Sequence, residues 1–154
     1  DGVVADLVTL AKGLGNGFPI GACLASGAAA ELIQPGMHGT TFGGNPVAAA
    51  AGNAVLDVLD GGVLDRARET GAWLADQLRA LNHPRIAEVR GRGMLLGVVL
   101  TDDVAPAVAA AALDAGWVIN APRPSVLRVA PPLISTRDDL QGFLDALPTL
   151  LDKA

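Results

Sequence analysis

One lysine stands between a short apolar run and a glycine-rich turn. Residues 7–11 are mostly apolar, Lys12 follows them, and Gly13, Gly15 and Gly17 come at alternate positions. The run predicts a buried strand, and the glycines permit a backbone φ above zero or a close approach to a ligand. An amine desolvated by apolar neighbours has a lowered pKa and can form a Schiff base with a carbonyl. The pattern favours a nucleophilic lysine, and a strand-end lysine whose amine reaches solvent is the alternative.

The use of basic residues sharpens this hypothesis. The chain has eleven lysines and arginines, of which only Lys12 and Lys153 are lysines. Arginine supplies positive charge elsewhere, but its guanidinium stays protonated and cannot perform amine chemistry. Lys153 lies near the end of the chain, so Lys12 is the candidate catalytic residue.

A second group of polar residues precedes a predicted helix. Thr40 and Thr41 offer hydroxyls, Gly43 and Gly44 offer open backbone N–H groups, and Pro46 suits the first helical position. Hydroxyls and N–H groups at a helix N-terminus suit a phosphate. A hydroxyl-stabilised turn in front of the helix is the alternative.

Arg128 lies in an apolar, β-branched run just before Pro131 and Pro132. This setting predicts a buried arginine, which needs an anionic partner. An internal ion pair is the structural alternative. Arg90 and Arg92 flank glycines, and we expect them to serve the surface or an interdomain contact.

Composition argues against several other classes. The net charge of −5 leaves no basic footprint for nucleic acid, and Cys23 is the only cysteine, so no internal disulfide can form. His38 and His83 are far apart and predict no metal cluster. No apolar run reaches membrane-spanning length and no signal peptide is recognised, which favours the cytoplasm. A nucleotide-binding P-loop is disfavoured, because Lys12 precedes its glycines.

The predicted secondary structure that positions these residues falls into two parts, which meet near Gly61. The part before it predicts strands and ligand loops, with a helix that opens at Pro46 and stops at Asp60. The part after it predicts a compact α+β unit. Its predicted helices begin near residues 63, 104 and 135 or 136, Pro148 should kink or shorten the last one, and its predicted strands are 86–89, 94–100, 117–121 and 126–129.

Three segments together resemble a known family. Residues 9–22 resemble the cofactor-lysine segment of class III pyridoxal-phosphate aminotransferases, residues 39–46 resemble the family's second signature, and residues 128–133 resemble a third. They occur in the family's order, and within the class the sequence looks most like acetylornithine aminotransferases. The resemblance implies an α/β fold: residues 1–62 would be the end of a fold-type I large domain, and residues 63–154 an α+β small domain. It also implies a fragment of a longer chain.

The resemblance also implies roles for the candidate residues. Lys12 would hold pyridoxal 5′-phosphate and move a proton as general base and acid. Thr41 would bind the cofactor phosphate of the neighbouring subunit of a homodimer, and Thr40 would lie near substrate. Arg128 would meet a substrate carboxylate or a glutamate switch. The acid expected at the cofactor's ring nitrogen has no candidate in this chain.

The implied reaction moves the δ-amino group of N-acetylornithine to 2-oxoglutarate in arginine biosynthesis. Transaminases of ornithine, 4-aminobutyrate or N-succinyldiaminopimelate share this chemistry and stay open as alternatives, as does a non-catalytic domain that retains the fold. The resemblance implies that the 154-residue chain is inactive on its own.

Overall fold

The computed structural model describes residues 2–154, and the chain divides into two compact units, Asp1–Gly61 and Gly62–Ala154. The first unit contains two strands, two single 3-10 turns and one helix. Its elements in chain order are β1 (Leu7–Leu10), the turn Lys12–Leu14, β2 (Ala22–Ala25), the turn Gly27–Glu31 and α1 (Pro46–Val58). The sequence predicts strands at residues 7–11 and 20–26, a short helix at 28–33 and the helix from Pro46. The strands and the long helix form with bounds that differ by a few residues, and the predicted short helix is a 3-10 turn.

Strands β1 and β2 form an antiparallel pair in which Leu7 lies opposite Ala25. Every residue of both strands is exposed; Leu7 exposes 58% and Leu24 52% of its surface. The expectation of a buried strand at residues 7–11 is therefore wrong for the described residues. An apolar run indicates that a strand favours apolar contacts, but burial also requires another layer of structure. No described element of the first unit covers the faces of β1 and β2.

Helix α1 begins as its sequence predicts and continues further than predicted. Pro46 takes the first position, and the Asn45 side chain accepts hydrogen bonds from the N–H groups of Val47 and Ala48 at 3.0 and 3.1 Å. Instead of stopping at Asp60, the chain forms one π-helical turn, Leu59–Val63. The backbone of Gly62 has a φ of +90°, which glycine adopts at little cost.

The run Pro46–Ala80 is long and apolar enough to cross a membrane by length and composition. This corrects the expectation that no segment reaches that length. The feature is weak evidence for a membrane span, because core helices also pass such a test. Its second half, α2 (Leu64–Ala80), is amphipathic and buries one face within its own unit, as core helices do.

The second unit packs helices against one four-stranded sheet. The strands are β3 (Ile86–Arg92), β4 (Leu95–Leu100), β5 (Asn120–Arg123) and β6 (Val126–Val129), and the further helices are α3 (Ala105–Asp114) and α4 (Arg137–Lys153). The sheet order is β3-β4-β6-β5 and every pairing is antiparallel, including the predicted β3–β4 pair. The β5 prediction is displaced: Trp117 lies outside the strand and packs edge-on against Phe143, with ring centroids 5.8 Å apart.

The hydrophobic core lies in this second unit. The spacing of residues 64, 67, 71, 74, 78 and 81 predicts one apolar stripe on α2, and the structure buries residues 67, 71, 74 and 78 of it. Leu74 and Leu78 are fully buried, whereas Leu64 exposes 40% of its surface. Helix α4 stays helical through Pro148, contrary to the expected kink or shortening, because apolar residues on both sides of the proline are buried and their packing offsets the lost backbone bond. The largest fully buried side chains are Leu74, Leu78, Val98, Val108, Leu127, Leu147 and Leu151.

Helix α4 begins with a capping box. The Thr136 hydroxyl accepts from the Asp139 N–H at 3.3 Å, and the Asp139 carboxylate accepts from the Thr136 N–H at 2.8 Å. Hydrogen bonds from the backbone and hydroxyl of Thr136 lower the pKa of the Asp139 carboxyl. The lowered pKa means that this cap is intact above the usual aspartate pKa and is lost as the pH falls through the lowered value.

Candidate active site

Lys12 occupies a strained position at the start of the first 3-10 turn. Its backbone φ is +52°, in the left-handed region that residues other than glycine adopt uncommonly. The turn is closed by hydrogen bonds from the Leu14 N–H to the Ala11 carbonyl at 3.1 Å and from the Gly15 N–H to the Lys12 carbonyl at 3.2 Å. Strain of this kind concentrates at functional sites. The Lys12 residue is exposed, so the desolvated setting expected from the sequence is absent from the described residues.

Two buried glycines, Gly15 in the turn and Gly52 on α1, permit close packing around this turn. A Cβ at Gly15 would overlap the Phe18 carbonyl and lie 2.6 Å from the Ile20 Cγ2 atom. On α1, a Cβ at Gly52 would lie 3.7 Å from the Leu14 carbonyl oxygen and 3.6 Å from the Ile20 side chain. Helix α1 therefore packs directly beneath the turn that presents Lys12, and the lack of a side chain at residue 15 lets the turn fold tightly.

Alanine substitutions at these two glycines test whether the close packing of the turn matters. In the longer protein that the family resemblance implies, we expect Gly15→Ala to displace the turn and to weaken retention of the cofactor that Lys12 would hold, because the new methyl group meets backbone atoms, an overlap that costs about 1–3 kcal/mol. The φ of −105° at Gly15 suits alanine, so the effect is steric. Gly52→Ala is the matched control, since its methyl group finds ordinary contact distances. Equal cofactor retention after dialysis of the two variants would contradict the role of Gly15.

The loop before α1 carries the candidate phosphate donors. Thr40 and Thr41 are exposed, and the Thr40 methyl group packs against Gly43. The N–H groups of Gly43 and Gly44 donate no hydrogen bond to any described residue. The expectation of a free helix N-terminus needs a correction, because Asn45 already accepts from the first N–H groups of α1. The available donors are therefore those of the loop.

These groups fit a cofactor that carries an aldehyde and a phosphate. Lys12 supplies an exposed amine, while the loop supplies hydroxyls at Thr40 and Thr41 and unpaired N–H groups at Gly43 and Gly44. A phosphate accepts from such hydroxyl and N–H donors, and a primary amine condenses with an aldehyde. Within residues 2–154, no three His, Cys, Asp or Glu side chains are grouped as metal ligands.

Arg128 lies on β6 in the second unit. Its neighbours Leu127 and Val129 are buried, so the alternation of a strand directs the Arg128 side chain to the opposite, exposed face. The predicted burial of Arg128 is thus wrong, and no acidic partner contacts it among the described residues. Its Nε–H donates to the Asn120 Oδ1 atom at 2.8 Å. Sequence reasoning missed Asn120, since only the pairing of β5 with β6 places it there.

The remaining arginines of interest behave as surface residues. Arg90 is exposed and lies 3.7 Å from the Glu88 carboxylate. Arg92 lines an open groove between α2 and the β3–β4 hairpin. An apolar pocket of about 240 Å³ lies beside the segment that follows Arg128, with Val129, Pro131 and Phe143 in its wall.

Known proteins match the whole of this arrangement. The family model "Aminotransferase class-III" matches residues 1–151. An acetylornithine aminotransferase of Mycobacterium tuberculosis is 57% identical over 155 aligned residues, which are 100% of this chain and 39% of that protein. One from Streptomyces coelicolor is 55% identical with the same coverage. The chain thus spans about two-fifths of the length of these relatives.

Solved structures agree with the sequence matches. The crystal structure of acetylornithine aminotransferase from Elizabethkingia anophelis aligns with a TM-score of 0.88 at 31% identity and covers 99% of this chain and 42% of that one. The ornithine aminotransferase of Toxoplasma gondii aligns with a TM-score of 0.88 at 34% identity, over 99% of this chain and 38% of that one.

Proposed function

Because the chain belongs to the class III aminotransferase family, we propose that it is part of a longer enzyme that moves the δ-amino group of N-acetylornithine to 2-oxoglutarate. The family resemblance of the three sequence motifs is confirmed, and class III aminotransferases depend on pyridoxal phosphate. The strained turn that presents the single internal lysine carries the proposal on the structural side. In this proposal, residues 1–62 complete the large domain of a fold-type I enzyme and residues 63–154 form its small domain.

Each candidate residue then has a defined task. Lys12 would hold the cofactor through its amine and, when that amine is free, would take a proton from the substrate carbon and later give it back as general acid. Thr41 would donate a hydrogen bond to the cofactor phosphate of the neighbouring subunit, and the Gly43 and Gly44 N–H groups, which donate to no described residue, would be available to do the same. Thr40 lies beside the substrate. The bound cofactor supplies an electron sink that makes the substrate proton acidic.

Arg128 is the proposed receptor for a substrate carboxylate. It is exposed and carries no ion pair with a described residue, so its charge is available. A planar guanidinium presents parallel N–H groups that match a carboxylate in two places. Since 2-oxoglutarate carries two carboxylates and N-acetylornithine carries one, an arginine at this position suits both amino acceptor and donor.

The amino donor rests on the relatives, which are named acetylornithine aminotransferase at 53–57% identity. Purified parent enzyme assayed with 2-oxoglutarate and a panel of donors tests this choice. We expect the highest kcat/KM with N-acetylornithine, ahead of ornithine, 4-aminobutyrate and N-succinyldiaminopimelate. A preference for another donor would assign the enzyme to the transaminases of that donor. A protein without any transaminase activity and without a spectral response to pyridoxal phosphate would be a non-catalytic domain with the same fold.

Thr40 and Thr41 are predicted to differ in how much each contributes to cofactor retention. In the parent enzyme, we expect Thr41→Ala to weaken cofactor retention more than Thr40→Ala, since a hydrogen bond to a charged phosphate contributes about 1.5–3 kcal/mol. The holoenzyme fraction after dialysis against cofactor-free buffer measures the difference. Identical retention would remove the distinction between the two hydroxyls, whereas a larger loss in Thr40→Ala would exchange their roles.

We also propose that the enzyme acts in the cytoplasm as a homodimer in which Thr40 and Thr41 reach the neighbouring active site. The exposed apolar faces of β1 and β2 support further protein packing against the first unit. This chain alone is expected to be inactive, since it spans 39% of its relatives and offers no assigned acid for the cofactor ring nitrogen. Steady transamination by the purified 154-residue chain would contradict that expectation.

A further inference from the structure

Asn120 and Arg128 face each other on neighbouring strands. They are register partners of β5 and β6, and the Arg128 Nε–H donates to the Asn120 Oδ1 atom at 2.8 Å. Arginine has no acceptor, so the amide oxygen rather than its nitrogen must face the guanidinium. Both residues are exposed, and their hydrogen bond lies on the face of the sheet opposite to the core.

A β-bulge places Asn120 at this position. Arg123 pairs with Val126, and Asn120 pairs with Arg128, so three steps along β5 match two steps along β6. Regular pairing from Arg123 would instead bring Ala121 opposite Arg128. The extra residue therefore exchanges an alanine for an amide beside the guanidinium, and re-aiming a side chain is a known use of bulges. Pro122, which has no N–H to donate, is tolerated because β5 is an edge strand.

The other flank of Arg128 offers no comparable partner. The residue opposite it on β4 is Gly97, which has no side chain. Beyond Gly97 on β3 stands Arg90, whose Nε would lie 3.9 Å from a Cβ built on Gly97. A second guanidinium cannot accept a hydrogen bond. Of the described residues, only Asn120 makes a polar side-chain contact with Arg128.

We propose that Asn120 is a positioning residue that holds the Arg128 guanidinium with its two terminal NH₂ groups turned toward a substrate carboxylate. This inference rests on the proposed function, which makes Arg128 the carboxylate receptor. A guanidinium has five N–H donors, and Asn120 engages the single Nε–H. The four terminal donors make no hydrogen bond to described residues and form the pair of parallel bonds that a carboxylate accepts. Because the Asn120 amide is neutral, it fixes the orientation of the Arg128 guanidinium without neutralising its positive charge. That charge remains available to the substrate carboxylate.

Giving residue 120 a negative charge tests this inference. In the parent enzyme, Asn120→Asp places a carboxylate beside the guanidinium, which then competes with the substrate. We expect the KM for 2-oxoglutarate to rise by about tenfold with a smaller change in kcat, in line with the strength of a charge-assisted hydrogen bond. The melting temperature should stay the same or rise, since the variant gains an ion pair. A purely structural Asn120 predicts a lower melting temperature with an unchanged KM, and that result would overturn the inference.

Two further variants complete the experiment. Asn82→Asp makes the same chemical change at an exposed residue after α2, and we expect it to keep the wild-type KM. Arg128→Gln tests the proposed function independently. If Arg128→Gln raises the KM and Asn120→Asp does not, the Asn120 role fails and the function of Arg128 stands. If neither variant changes the KM, the proposed carboxylate receptor fails together with its holder.

A spectroscopic measurement on this chain checks the contact without catalysis. Nitrogen-15 NMR of the Arg128 Nε–H should show a hydrogen-bonded signal that exchanges slowly in the wild type. In Asn120→Ala we expect the signal to exchange markedly faster, since the acceptor has been removed, whereas Asn82→Asp should leave it unchanged. An Arg128 signal that is identical in wild type and Asn120→Ala would overturn the inference.

Discussion

Replacing Lys12 with alanine in the parent enzyme is expected to abolish the visible absorbance of bound pyridoxal phosphate and to lower turnover by about a thousandfold or more, the range over which a positioned acid–base group acts. The variant removes the only amine that the strained turn presents. Lys12→Arg should be equally inactive, because guanidinium keeps the charge but neither condenses with an aldehyde nor exchanges protons at neutral pH.

Lys153→Ala is the matched control for this experiment. Lys153 is the only other lysine and lies in the last turn of α4. Its replacement should leave the absorbance spectrum and the turnover number at wild-type values. A Lys12→Ala enzyme that retains the wild-type spectrum after dialysis would show that another residue holds the cofactor.

The second large effect concerns autonomous folding. Residues 62–154 alone are expected to unfold in one cooperative thermal transition, whereas residues 1–61 alone should show none. The described residues of the first unit include only three that are buried, Gly15, Ala48 and Gly52, so little apolar area leaves water. In the second unit, α2 and α4 each bury an apolar face in a core that also contains residues of the sheet. Burial contributes about 25 cal/mol per Å² of apolar surface, so only the second unit gains enough to offset its chain entropy.

Circular dichroism and calorimetry on the two separate segments measure this difference. Leu147→Ala in the segment 62–154 provides an internal check, because Leu147 is fully buried and its truncation should cost about 2–5 kcal/mol. The exposed Leu133→Ala should cost far less. A cooperative transition in the first segment, or its absence in the second, would contradict the assignment of the core.

The sequence predicted local structure well where the determinants are local. Pro46 starts α1 as predicted, and Thr136, one of the two predicted start residues of α4, caps that helix, because each signal acts within one helical turn. The spacing of Leu74 and Leu78 predicted the buried face of α2 for the same reason. These features depend on residues three or four positions apart, which a sequence displays directly.

The errors arose where distant residues decide the outcome. An apolar setting suggested that Lys12 and Arg128 are buried, yet both are exposed, because burial depends on the layers that cover an element. The displaced start of β5 follows from the packing of Trp117 on Phe143, a contact between residues far apart in the chain. The Asn120–Arg128 hydrogen bond depends on an irregular pairing that no alternation pattern reveals.

That irregular pairing sets how this hairpin tolerates changes in length. Deleting one residue between Asn120 and Arg123 would let the strands pair regularly and would keep the ladder intact, so the fold would survive. The same deletion would keep Asn120 opposite Arg128, because two steps along β5 would then match two steps along β6. Inserting one residue between Asn120 and Arg123 would instead slide Asn120 out of register with Arg128. A scan of single deletions and insertions between Asn120 and Arg123 should therefore find normal substrate binding after a deletion and impaired substrate binding after an insertion. The length of this edge strand, and not only its composition, would then be under selection for recognition.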